Sequence, residues 1–193
     1  MKSILAVIDH LNSNFKDPHM TSMPGWMTGL HAEAIRPEQH MSVKIFLIKI
    51  IINKEEIFRP YARQWSEVLL NYCSSKGNGG KGFHYFLRDV CTTLLTWHAN
   101  GFKLEQTLNN KKLCSDIITN LMKVAADKKS IVFRSNLKII AGLMDHWRDN
   151  LYVDKDVLQK MLNFPEKNDG AMQWRMTALH ILDSAFNYNI QLA

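Results

Sequence analysis

The protein has 193 residues and a mass of 22.3 kDa. Of its residues 46% are hydrophobic and 22% are charged, so the composition excludes a disordered chain. Three cysteines without CxxC spacing exclude a disulfide framework and a cysteine zinc site, and predict a reducing compartment. The formal net charge of +6 permits an acidic partner without requiring one.

The chain opens with a predicted helix. Its apolar residues recur at three- and four-residue spacing, which is typical of one helix face: Ile4, Leu5, Ile8, Leu11 and Phe15. Asp9 and His10 interrupt the apolar run, so this stretch is not a signal peptide. A short helix is predicted from Trp26 to about Ala34. No stretch of 18 apolar residues exists, so no transmembrane helix is predicted.

The run VKIFLIKIIIN from Val43 is compatible with a buried strand or a buried helix. We favour the helix, because Pro37 marks a helix start about 16 residues before Asn53 and few other segments resemble strands. Pro60 opens the next predicted helix. Its apolar face contains Tyr61, Trp65, Val68, Leu69 and Tyr72.

The loop GNGGKG at 77–82 is the strongest break in the chain, and 99–110 is predicted to be a second loop. Further helices are predicted at 83–98, 111–127, 130–149, 154–163 and 171–188. The total is eight or nine helices and essentially no sheet, so the predicted fold class is all-α.

Two of these helices carry the same apolar pattern, 50 residues apart. The first contains Phe83, Leu87, Val90, Leu94 and Trp97. The second contains Phe133, Leu137, Ile140, Met144 and Trp147. Helical pairs that recur every ~40–47 residues are typical of HEAT or armadillo arrays, so we predict an α-solenoid of such pairs. The alternative is an irregular helical bundle with coincidental spacing.

The predicted organisation is a single helical-repeat segment over residues 1–193. It begins with leading helices at 1–36 and ends with a terminal helix at 170–190. Three helical pairs lie between them, at 37–76, 83–127 and 130–164.

No motif in the sequence forms an active site, so we predict no catalytic, cofactor-binding or metal-binding residue. The glycines of 77–82 follow a helix instead of a strand, and Lys81 precedes glycine, which indicates an interhelical loop. The eight histidines lack metal-ligand spacing, and no serine or cysteine nucleophile motif is present. Cys91 is expected in the core, and Cys73, at a helix end, is expected to be partly exposed and therefore reactive.

Positive charge is concentrated between Asn100 and Lys138, where eight basic and three acidic residues contribute +5 of the net charge. We define a lysine ridge as the candidate contact residues for nucleic acid or an acidic protein: Lys111, Lys112, Lys123, Lys128, Lys129, Arg134 and Lys138. A basic ridge can follow phosphates without reading sequence. The alternative is a solvated face, since no aromatic residues interleave with these lysines at positions expected to be exposed.

Four segments carry a family resemblance: DPHMTSMPGW from Asp17, INKEEIFRPYARQW from Ile52, GNGGKGFHY from Gly77 and VFRSNLKII from Val132. In this order they resemble the DNA-dependent protein kinase catalytic subunit family, within its long helical-repeat region, the circular cradle. The resemblance extends to about Phe164. It implies HEAT-like repeats, a nuclear location and a fragment, because members of the family run to thousands of residues.

The resemblance also implies partners and a role. The family binds broken DNA ends with the Ku heterodimer and promotes non-homologous end joining. Its serine/threonine kinase domain, with ATP and magnesium, is not in this chain. The expected function is therefore a non-catalytic scaffold segment in double-strand break repair. Its expected partners are the rest of the parent chain, with Ku and DNA ends for the whole protein, and neither membrane nor small-molecule substrate.

Other readings of the function remain open. One is a stand-alone helical-repeat module that binds nucleic acid or an acidic protein through the lysine ridge. Another is a small helical enzyme, for which the sequence offers no candidate residues. A fragment of a solenoid is expected to expose apolar faces at both ends, because its end repeats lack their neighbours.

Overall fold

The computed structural model of the protein describes residues 1–15, 22–74, 83–103, 111–125, 130–167 and 170–193. Within these ranges the secondary structure is almost entirely helical, which confirms the predicted all-α fold class. The chain forms two compact units, Met1–Leu69 and Leu70–Ala193. The assignment to HEAT or armadillo pairs, and the pair boundaries, remain predictions.

The first unit is built from helices and one 3-10 turn. In chain order these are α1 (Lys2–Asn14), α2 (Gly25–Ile35), α3 (Met41–Asn53), α4 (Glu55–Phe58), the 3-10 turn Arg59–Tyr61 and most of α5 (Ala62–Ser74). The isoleucine-rich run is helical, as predicted. It forms most of α3, whose buried residues are Leu47, Ile48, Ile50 and Ile51.

One predicted helix start is wrong, and another lies in a 3-10 turn that runs directly into α5. Helix α3 begins at Met41 instead of Pro37, because His40 caps it: the Nδ1 atom of His40 accepts a hydrogen bond from the Ser42 amide at 3.2 Å. Pro60 lies inside the 3-10 turn between α4 and α5, where its missing N–H costs no hydrogen bond. The apolar face predicted for the following helix is nevertheless buried throughout.

Edge-to-face aromatic contacts organise the core of the first unit. The rings of Phe58 and Trp65 lie 5.2 Å apart at 88°, and those of Trp26 and Phe58 lie 6.1 Å apart at 79°. The rings of His31 and Trp65 lie 5.0 Å apart at 77°. Such pairs favour this geometry because the ring edge is positive and the ring face negative. The cluster therefore joins α2, α4 and α5.

The second unit continues from the end of α5. Its further elements are α6 (Phe83–Ala99), α7 (Lys111–Ala125), α8 (Ser130–Trp147), the 3-10 turn Arg148–Asn150, β1 (Tyr152–Val153), α9 (Lys155–Leu162), α10 (Ala171–Asn187) and β2 (Gln191–Leu192). Helix α8 packs against α6, α7 and α10, and α10 also packs against α7 and α9. At Gly142 a Cβ atom would lie 3.4 Å from the Leu95 methyl carbons, so glycine allows α8 a close approach to α6.

A short parallel ladder between β1 and β2 was not predicted from the sequence. Tyr152 pairs with Gln191 and Val153 with Leu192. The ladder continues into two further bonds: the Ala193 amide donates to Val153 O at 3.0 Å, and the Lys155 amide donates to Ala193 O at 2.9 Å. Two-residue strands are too short to leave a periodic pattern.

The repeated apolar pattern is confirmed in α6 and partly wrong in α8. In α6 the four members with described side chains are fully buried: Leu87, Val90, Leu94 and Trp97. The side chain of Phe83 lies outside the described residues. In α8, Ile140, Met144 and Trp147 are buried. Phe133 and Leu137 are only half-buried.

The difference in α8 has a geometric cause. The buried face of this helix includes Asn136, Ile139 and Leu143, so its centre is rotated away from Leu137. Phe133 lies in the first turn of the helix.

Candidate acidic-partner surface

Helix α7 separates an apolar face from a basic one. Its buried residues are Cys114, Ser115, Ile117, Ile118, Leu121 and Met122. Lys111, Lys112 and Lys123 are exposed. Lys112 and Lys123 are eleven residues apart, about three helical turns, so they share one face. The buried stripe therefore fixes which lysines face solvent.

A hydrogen-bonding serine fixes the first turn of α7 in the second unit. The Ser115 hydroxyl donates to Lys111 O at 2.7 Å and accepts from the Tyr152 amide at 3.0 Å. This buried hydroxyl joins the start of α7 to β1, so Lys111 and Lys112 project from an anchored turn.

Helix α8 contributes two further cations, Arg134 and Lys138, which are both exposed. They are four residues apart and therefore neighbours on one helix face. No described carboxylate forms an ion pair with either of them or with Lys111, Lys112 or Lys123. Lys128 and Lys129 lie outside the described residues. The five described members of the lysine ridge are thus solvent-exposed, and their role as contacts remains a prediction.

A groove in the second unit was missed by the sequence analysis. It has a volume of about 380 Å³ and is lined by Lys123, Val157, Lys160, Met161, Phe164 and Trp174. Four of these residues recur at spacing 3, 1 and 3 along α9 and the residues after it, which is a one-face pattern. The contributions of α7 and α10 are far away in sequence, so only the tertiary structure brings them together.

One wall of the groove is formed by an aromatic pair. The Phe164 and Trp174 rings stack at 5.2 Å with an interplanar angle of 14°. Asp154 caps α9, since its Oδ1 atom accepts from the Val157 amide at 3.0 Å. The cap fixes the start of the helix that carries Lys160.

The expectation of a partly exposed, reactive Cys73 is wrong. Cys73 is 1% exposed, and Asn120 of α7 covers this end of α5 by donating its Nδ2–H to Cys73 O at 3.2 Å. Burial, together with the neighbouring Cys91 thiol, raises the pKa of Cys73 well above its ordinary value. Burial also raises the pKa of Cys114 to about 12. Cys91 is fully buried, as predicted.

Two histidines of the second unit lie in contact. The rings of His98 and His146 lie 3.7 Å apart between α6 and α8. Among the described residues, no three His, Cys, Asp or Glu side chains are grouped so that they could hold a metal ion. None of the described helices is both long and apolar enough to cross a membrane. The glycine-rich loop 77–82 and His19 lie outside the described residues.

Comparison with known proteins identifies the family. Residues 1–101 match the family described as "DNA-dependent protein kinase catalytic subunit, CC3". The chain belongs to this family. The match covers just over half of its 193 residues, contains three of the four quoted segments and confirms the family resemblance.

Individual members of the DNA-dependent protein kinase catalytic subunit family are similar over most of the chain. The protein of Canis lupus familiaris is 35% identical over 162 residues, which are 79% of this chain and 4% of the relative. That of Gallus gallus is 31% identical over 159 residues, with the same shares. That of Dictyostelium discoideum is 35% identical over 150 residues, which are 76% of this chain and 3% of the relative. The chain therefore spans about 4% of the length of these relatives.

Proposed function

We propose that this chain is a non-catalytic scaffold segment of a DNA-dependent protein kinase catalytic subunit. Membership of that family supports the proposal, together with the small share of the relatives' length that the chain spans. In this proposal the whole protein is a nuclear serine/threonine kinase of double-strand break repair by non-homologous end joining. ATP and magnesium belong to its kinase domain, and Ku and DNA ends are partners of the whole protein.

One observation carries the scaffold role: α10 exposes an apolar stripe at helical spacing. Its members are Met172 (72% exposed), Met176 (45%), Leu179 (54%) and Phe186 (84%). Contiguous apolar surface of this kind is costly in water and usually marks a contact site. In a repeat protein each helical layer covers the apolar face of the next. We assign the neighbouring layer of the parent chain as the cover of this stripe.

The first unit has a comparable feature on α1. Ile4 and Val7 are exposed, as is Phe15 directly after the helix, and of the described residues of α1 only Ile8 is buried. Ile4 and Val7 are three residues apart and therefore lie on one side of the helix. The exposed apolar residues of α1 and α10 support the proposal, because the end repeats of a solenoid segment would lack the neighbours that cover them.

Charge introduced into the α10 stripe of the whole kinase tests the proposal. Leu179→Glu combined with Phe186→Glu should lower end joining in cells and increase proteolysis of the whole chain. The 193-residue chain alone should keep its unfolding midpoint, because both side chains are exposed in it. Asn187→Glu, at an exposed polar position, is the matched control. Unchanged end joining and proteolysis in the double variant would refute the scaffold role.

The lysine ridge supports a second candidate, a helical-repeat module that binds nucleic acid. It is favoured by the exposure of all five described members and by the absence of ion pairs between them and other described residues. The contact would be with phosphates, because exposed lysines neutralise the backbone without reading bases.

A further inference from the structure

We propose that the groove between α7, α9 and α10 binds an acidic peptide segment with a large apolar anchor residue. This binding site is separate from the scaffold role and does not depend on it. The groove combines an apolar floor, formed by Val157 and Met161, with two cations at its rim, Lys123 and Lys160. Its volume of about 380 Å³ lies in the range of sites that enclose a small ligand or a few side chains.

The charge of the groove selects an acidic occupant. Lys123 and Lys160 are both exposed, and neither forms an ion pair with another described residue. Among the described residues that line the groove there is no carboxylate, and Asp156 lines a separate cleft, to which Lys160 also contributes. Two unpaired ammonium groups beside an apolar floor therefore complement carboxylates that flank an apolar side chain.

The lining of the groove favours binding of an apolar side chain over binding of a nucleobase. A base bound to single-stranded sites stacks on an open aromatic face. Here Phe164 and Trp174 stack on one another, so each ring already has one face covered. The remaining floor is aliphatic and sulfur-containing, and Met161 is 1% exposed. Met surfaces adapt to irregular apolar shapes, which suits an inserted Phe or Leu side chain.

Peptide binding to the 193-residue chain, followed by NMR in 150 mM salt, tests the inference. The probe is an acetylated peptide, EDEFLEDE, with EDEAAEDE and KRKFLKRK as matched peptides. We expect EDEFLEDE to bind about tenfold more tightly than EDEAAEDE, because the anchor is buried. KRKFLKRK should not bind. The resonances that move should include the Trp174 indole N–H and the Val157 and Lys160 amides.

Charge reversal at the rim gives the second part of the test. Lys123→Glu and Lys160→Glu should each weaken EDEFLEDE binding about fivefold or more. Lys49→Glu is the matched control, since Lys49 is an exposed position of α3 outside both the groove and the lysine ridge, changes the net charge equally and should change binding less than twofold. All three positions are exposed, so the variants should fold.

Four outcomes would overturn the inference. The first is equal binding of EDEFLEDE and EDEAAEDE, which would mean charge attraction alone. The second is an equal loss in the Lys49→Glu variant. The third is displacement of the peptide by oligothymidine with the same shift of the Trp174 resonance, which would make the groove a single-strand nucleic-acid site. An absence of binding up to 1 mM peptide, roughly the weakest affinity of interest, would also refute it.

Discussion

Cys114 shows how burial controls reactivity and pH dependence at a single residue. Its thiol is fully buried, and burial raises its pKa from 9.0 to about 12. The unfolded chain therefore releases this proton above pH 9 while the folded chain retains it. The stability that the group contributes is fully present below pH 9 and is lost as the pH rises toward 12.

The consequence can be measured by urea unfolding at pH 8 and pH 10. From pH 8 to pH 10, the free energy of unfolding of the native sequence should decrease by about 1 kcal/mol more than that of Cys114→Ala. One pKa unit corresponds to about 1.4 kcal/mol. Groups present in both proteins cancel in this comparison. Identical pH dependence in the two proteins would contradict the assigned pKa.

Thiol labelling is a separate prediction for Cys73. This thiol is buried and its pKa is raised, so dithiobis(nitrobenzoate) at pH 8 should label it only when the protein unfolds. The labelling rate of the Cys73 thiol should rise with urea in parallel with unfolding. Cys91→Ala with Cys114→Ala leaves this thiol alone for the assay. Complete labelling within the mixing time in buffer would restore the expectation of an exposed cysteine.

Trp97 and Trp147 are the last residues of the repeated apolar pattern in α6 and α8, and they are 0% and 1% exposed, respectively. Substitution of either by Ala should lower the free energy of unfolding by about 3–5 kcal/mol, because a large side chain leaves a cavity that the core fills incompletely. Phe186→Ala, at 84% exposure, is the control and should cost less than about 0.5 kcal/mol. A loss below roughly 1 kcal/mol would remove the tryptophan concerned from the core.

At the level of the element, Asp154 fixes the start of α9. Its Oδ1 atom accepts from the Val157 amide at 3.0 Å, so Asp154→Ala should lower the free energy of unfolding by about 0.5–2 kcal/mol. The Asp154→Ser variant should retain most of the stability that Asp154→Ala loses, because serine also caps helices. Thermal unfolding of the three proteins measures this difference. Equal losses for Ala and Ser would show that the capping bond is not the source of stability.

Element type was more predictable than element boundary. The isoleucine-rich composition and the length of 43–53 were compatible with strand or helix, and chain context correctly favoured helix. The start at Pro37 was wrong because the cap is an imidazole nitrogen of His40, which is not among the usual N-cap residues. Residues 59–61 form a 3-10 turn that propensity alone does not separate from the first turn of α5.

For the whole molecule, the lysine ridge predicts salt-dependent binding to duplex DNA. The logarithm of the affinity should fall with the logarithm of salt by about 0.9 for each phosphate neutralised. Lys112→Glu with Lys138→Glu should reduce the slope by roughly two. Fluorescence anisotropy with a labelled duplex measures it, with Lys155→Glu, an exposed position outside the ridge, as control. Absent or salt-insensitive binding would eliminate this second function.

The sequence by itself determined the family, the all-α class and most helix positions. These follow from local information: quoted segments of irregular sequence, apolar spacing near 3.6 residues, and glycine or proline at the breaks. The regular apolar spacing of α6 also predicted a core helix, and the structure confirms it, since four of these apolar residues are fully buried.

Only the tertiary structure decided which helix faces are covered. Cys73 is buried because α7, almost 50 residues later, covers it, while the apolar stripe of α10 is exposed although its spacing resembles that of a buried face. The groove likewise needs Lys123, Lys160 and Trp174 from three helices. Burial depends on contacts between residues distant in sequence, and local periodicity carries no information about which partner a face meets.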